Sequence, residues 1–196
     1  MLARSFEATI QAELHSGDEV MTERKGYLAV ATALLLLNIS PVQAAEQDTI
    51  QAIIPWAAEG RVFQVDTETM MFLGAMHGIM YVQSSRGEIH EAFVMCPVTL
   101  NLNPASGDSD ASARCEITAS ADDVAYAELS CKGKVGDCTG TFTLVDGEGR
   151  FAGISGSGKL RVRSPLGALV AGAAAGADIR VESGLLVVKD LEYRIP

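Results

Sequence analysis

Basic side chains are scarce in this chain: 15 Lys and Arg stand against 25 Asp and Glu, a formal charge of −10. So acidic a molecule repels nucleic acid and anionic membrane surfaces unless a local cluster reverses the sign. The one such cluster, Arg161 and Arg163, has the alternate spacing of a solvated strand face. Histidines number three, and only His77 and His90 lie beyond residue 44. Neither accompanies a Gly-x-Ser-x-Gly elbow, so a serine hydrolase is not indicated. No cysteine pair has the two-to-four-residue spacing of a zinc site, and the acidic turns at Asp108–Asp110 and Asp146–Glu148 lack the twelve-residue calcium-loop pattern. No metal and no cofactor is therefore expected. The stretch GISGSGK, Gly153–Lys159, has the spacing of a phosphate loop, but Leu160 stands where a magnesium-binding hydroxyl would follow the lysine. A 3.6-residue apolar period is also missing from Arg61 onward, which argues against a helical domain.

What is present begins with an export signal. MTERKGYLAVATALLLLNISPVQAAEQ, from Met21, runs from Arg24 and Lys25 through an uncharged apolar stretch to small residues at Val42-Gln43-Ala44. That order is the layout of a cleavable leader, and the apolar run is shorter than the roughly 20 residues of a membrane span. Residues 1–20 precede the leader and read as an upstream extension or a misassigned start. Residues 21–44 read as the signal peptide, and 45–196 as a single domain with no transmembrane segment. That domain carries 12 Lys and Arg and 20 Asp and Glu, so 12 − 20 gives −8. A periplasmic or secreted location follows.

Beyond the leader, short alternating segments are separated by turn clusters, which predicts an all-β fold. About eight strands are expected, near 61–66, 70–83, 88–101, 112–120, 123–133, 138–146, 149–163 and 178–190. Asp146-Gly147 between FTLV and RFAGI is a hairpin signal. An antiparallel meander of this length can close on itself and so lose its edges, which favours a closed barrel, with a β-sandwich as the alternative. Strand 70–83, MMFLGAMHGIMYVQ, is apolar on both faces. Met70, Phe72, Met76 and Met80 share one face and are the candidate lining of a ligand cavity, since thioethers adapt to irregular shapes. The other face needs cover, which makes a homo-oligomer the expectation. Ile53–Trp56 or the small-residue segment Ser164–Ala177 could supply cover within one chain.

All four cysteines lie in the β region, and an even count in an exported chain reads as disulfides. Strand register favours Cys96–Cys115 and Cys131–Cys138, and Cys115–Cys131 is a geometric alternative. Candidate acid–base groups are His77, His90 and Glu91. His90 sits beside Glu88 and Glu91 at a strand start, where either His90 or Glu91 points inward.

The run DGEGRFAGISGSG, Asp146–Gly158, places a glycine turn before R-F-x-G-x-x-G-x-G along a strand. It resembles the hairpin of allene oxide cyclase-like and dirigent-like β-barrels. The resemblance covers that hairpin and otherwise only the strand count. It implies an eight-stranded barrel with a ligand-sized interior that works by shaping a cavity, and plant members form dimers or trimers. None of their functional residues maps onto this chain. The expected function is an exported, disulfide-stapled barrel that binds a small apolar molecule or serves as an oligomeric structural module. The alternative is a cyclase or isomerase confining a lipid-like or phenolic substrate. No residue set compels an enzyme.

Overall fold

The eight predicted segments close into one antiparallel barrel in simple sequence order, β1 to β8, with β8 returning to pair with β1. The computed structural model describes residues 45–165 and 176–196. The expected signal peptide at 21–44, the residues 1–20 before it and most of the small-residue segment lie outside the described residues. The strands are β1 (Glu46–Gln64), β2 (Met70–Gln83), β3 (Ile89–Leu102), β4 (Asp108–Ser120), β5 (Asp123–Lys134), β6 (Asp137–Glu148), β7 (Ser155–Arg163) and β8 (Asp178–Ile195). A single 3-10 turn, Gly149–Phe151, interrupts them.

β4 starts at Asp108 and β8 ends at Ile195, each a few residues beyond its expected bound, and the larger differences from the sequence reading have local reasons. β1 starts at Glu46 instead of near residue 61. Pro55 disguises this half of the strand, because proline cannot donate to a ladder. The barrel accommodates it where the β1–β2 register passes from Ile53↔Tyr81 to Trp56↔Gly78, while Pro55 stays opposite Leu185 of β8. Ile53–Trp56 is thus part of the barrel wall and does not cover β2 from outside. The Asp146-Gly147 pair is not the hairpin apex, since Gly147 still pairs with Ala125 of β5. The chain reverses over the next residues, where Gly149 and Gly153 take φ values of 64° and 74°. A side chain at Gly147 would instead strike Phe151, whose Cβ would lie at 2.8 Å. β7 accordingly begins at Ser155, not at 149.

Period-two alternation sorts the side chains. Ala52, Ile54, Ala58 and Val62 of β1 and Met70, Phe72, Met76 and Met80 of β2 all point inward and are buried. At the waist, Val94, Cys96, Phe142 and Val188 are 0 % exposed. The middle of the barrel is therefore a packed core and not a channel. The outward faces of β4 to β7 carry exposed charges, among them Arg114, Glu128, Lys132 and Arg161. An apolar interior with a charged exterior over these strands is the inverse of the pattern of a membrane-spanning barrel.

Disulfides join Cys96 to Cys115 and Cys131 to Cys138, so no cysteine is free. The first bridges directly opposed residues of β3 and β4, with Cα atoms 4.1 Å apart. The second is diagonal: Cys131 faces Gly140 and Cys138 faces Gly133, and the Cα separation is 5.6 Å. The tight turn between Lys134 and Asp137 sets that offset. Both disulfides are buried inside the barrel, and they suit an oxidising, extracytoplasmic compartment.

Candidate functional site

The packed waist leaves one hollow at each end of the barrel. At the end where β7 leads into the segment before β8, a chamber of about 110 Å³ is lined by Trp56, Phe72, Met76, Ala111 and Leu186 and by the Cys131–Cys138 bridge. A dry apolar cavity of about 150 Å³ takes up benzene, so this chamber is scaled for a ring or a short branched chain. It is too small for a whole lipid tail. Phe72 and Met76 of the expected lining meet here. Met80 lies at the opposite hollow, and Met70 packs in the core beside neither.

Trp56 occupies this end because β8 makes room for it. Gly184 pairs with Trp56, and a Cβ there would come within 2.6 Å of the indole Cζ2. The indole therefore sits against Gly184, in the space a side chain would take. Its Nε1–H is buried and has no hydrogen-bond acceptor among the described residues. Two residues away on the same inward face stands Glu182, 7 % exposed and the only buried charged residue among those described. The Ser164 hydroxyl reaches the Glu182 carboxylate and lies 2.8 Å from the Ser183 carbonyl oxygen. An apolar wall thus carries an indole donor, a carboxylate and a hydroxyl around one glycine.

The opposite hollow, about 250 Å³, has an apolar floor that includes Met80, Ile117, Leu144 and Leu191. Its rim is polar and solvated. Tyr193 donates to Glu46 at 3.0 Å, and burial together with that bond pushes its phenol up to about 12. Asp48 is held below the usual carboxylate range, chiefly by hydrogen bonding from Ser85. His90 sits on the inward register, opposite Val82, but at the open mouth, with Nε2 3.9 Å from Glu88. Glu91 faces outward, opposite Tyr81. His77 is also outside, opposite Met95 and exposed. The three candidate acid–base residues therefore do not converge: His90 and Glu91 border this mouth, Glu91 from the outward register, and His77 lies on the outer wall.

Trp56, Ser164 and Glu182 were the residues missed from the sequence. The missed signal is parity: Glu182 is in phase with Leu186 and Val188 in VESGLLVV, and so must enter the barrel. Among the described residues no group of three or more His, Cys, Asp or Glu could hold a metal ion. The chain matches no protein-family description, no curated protein and no solved structure. Its function must therefore be read from the barrel itself.

Proposed function

We propose that the protein is a periplasmic or secreted barrel that binds a small, largely apolar molecule in the Trp56 chamber. The observation that carries this reading is the buried Trp56 N–H, without an acceptor among the described residues, beside an apolar hollow. A buried donor without an acceptor costs about 1–3 kcal/mol. A ligand bringing an acceptor to the indole edge removes that cost, while its apolar body fills the hollow. The hairpin at Asp146–Gly158, with its likeness to allene oxide cyclase-like and dirigent-like barrels, supports a cavity-shaping role. The leader at 21–44 supports export, and the disulfides agree with it.

Trp56 is the only tryptophan of the chain, so its emission reports on the chamber directly. Titration with p-cresol, a phenol of the right size, should quench and shift that emission saturably. Ala111→Met fills the hollow without adding a polar atom and should weaken the response at least about tenfold. Equal, non-saturating quenching in both proteins would count against the chamber as a binding site.

A cyclase or isomerase acting by confinement is the second reading. Glu182 favours it, because a lone carboxylate in an apolar wall is where a proton acceptor would act on a bound substrate.

A further inference from the structure

One side of the barrel is apolar on its outer surface as well. Leu185 of β8, Ile53 of β1, Ile79 and Tyr81 of β2, and Phe93 and Met95 of β3 all point outward and are 38–47 % exposed. Their register places them side by side: Leu185, Pro55, Ile79 and Phe93 form one row across four adjacent strands, and Ile53 and Tyr81 pair in the next. Four strands about 4.8 Å apart, over about 13 Å from the level of His77 and Met95 to that of Ile53 and Tyr81, give on the order of 250 Å². His77 is exposed among the apolar side chains, and toward Leu73 the outward face turns polar at Glu59 and Arg61. An apolar centre ringed by polar and charged groups has the layout of an interface core and rim, of which a stable interface buries roughly 800 Å² per partner.

The flanks of the patch have opposite signs. Past Leu185 and Val187 the next strand offers Arg163 and Arg161. Past Phe93 and Met95 lie Glu91 on β3 and Glu116 on β4. Asp137 engages Arg161 and only partly offsets the basic flank. When two copies lie side by side with strands running the same way, the basic flank of one faces the acidic flank of the other. In so acidic a chain, this arrangement lets identical molecules approach. The segment 166–175 is a poor cover by comparison. Its ten residues, LGALVAGAAA, are anchored at both ends at one mouth, where Gly176 donates to Val62. Going out and back, ten residues reach about 16 Å, whereas Tyr81 lies nine residues along β2 from Phe72, the partner of Val62, or about 30 Å.

We propose that this face binds a second copy of the same chain, with β8–β1 of one barrel set against β2–β3 of the other. Analytical ultracentrifugation of the disulfide-bonded protein at micromolar concentration tests this. The wild type should sediment as an oligomer, and so should Thr141→Arg, which places a charge on the far side of the barrel. Ile79→Arg and Phe93→Arg should each weaken association by about a hundredfold, while circular dichroism and the p-cresol response stay as in the wild type. A monomeric wild type would overturn the proposal. So would an oligomer that survives both arginine substitutions or that Thr141→Arg also dissociates.

Discussion

Tyr193 shows how a single side chain at the barrel mouth couples to stability. Burial, with the bond to Glu46, favours its neutral phenol, so its folded pKa of about 12 exceeds the ordinary value of 10. A raised pKa contributes stability fully below pH 10, which is lost as pH rises through about 12. Melting temperature should therefore fall over this window by more in the wild type than in Tyr193→Phe, and parallel curves would contradict the assignment. The acid side has the opposite sign. Hydrogen bonds from Arg161, Lys134 and Lys159 hold the carboxyls of Asp137, Asp108 and Asp190 below their ordinary 3.8. The stability they add is present above that value and lost as pH falls below it. Asp190 also takes φ of 52°, the one non-glycine with positive φ among the described residues. It sits where the β1–β8 register shifts between Ile50 and Ala52, a bulge that Asp tolerates better than most residues.

Alternation made the individual strands legible. β2 is recovered over Met70–Gln83 because Met70, Phe72, Met76 and Met80 recur at even positions between clear turn residues. The first half of β1 was hidden by Pro55 and by apolar residues on both faces. Gly147 misled for a different reason: its lack of a side chain serves the approach of Phe151, not a turn. Trp56 and Glu182 could not be joined from sequence, because the β8–β1 closure that brings them together links segments more than a hundred residues apart. The disulfides act at the same scale. They close separations of 19 and 7 residues, for which loop entropy assigns about 3 and about 2 kcal/mol. Replacing Cys96 and Cys115 by alanine should therefore cost more in urea denaturation than replacing Cys131 and Cys138. The reverse order would show that native packing, not the cross-link, dominates.

At the scale of the barrel, the described residues form a wall plugged at its waist, hollow at each end and carrying an apolar patch on one outer side. Its polarity separates two tasks. The inside holds the fold together and leaves a small chamber at the Trp56 end, while the outer wall of β8 to β3 is proposed to meet another copy. The charge segregation across that wall is proposed to let a domain with 12 Lys and Arg against 20 Asp and Glu assemble all the same. The binding claim is tested most directly by native mass spectrometry of the protein recovered from its own host. The account predicts a disulfide-bonded chain beginning after residue 44 that retains a small apolar molecule, lost when Ala111→Met fills the chamber. A bare polypeptide mass in both proteins would contradict it.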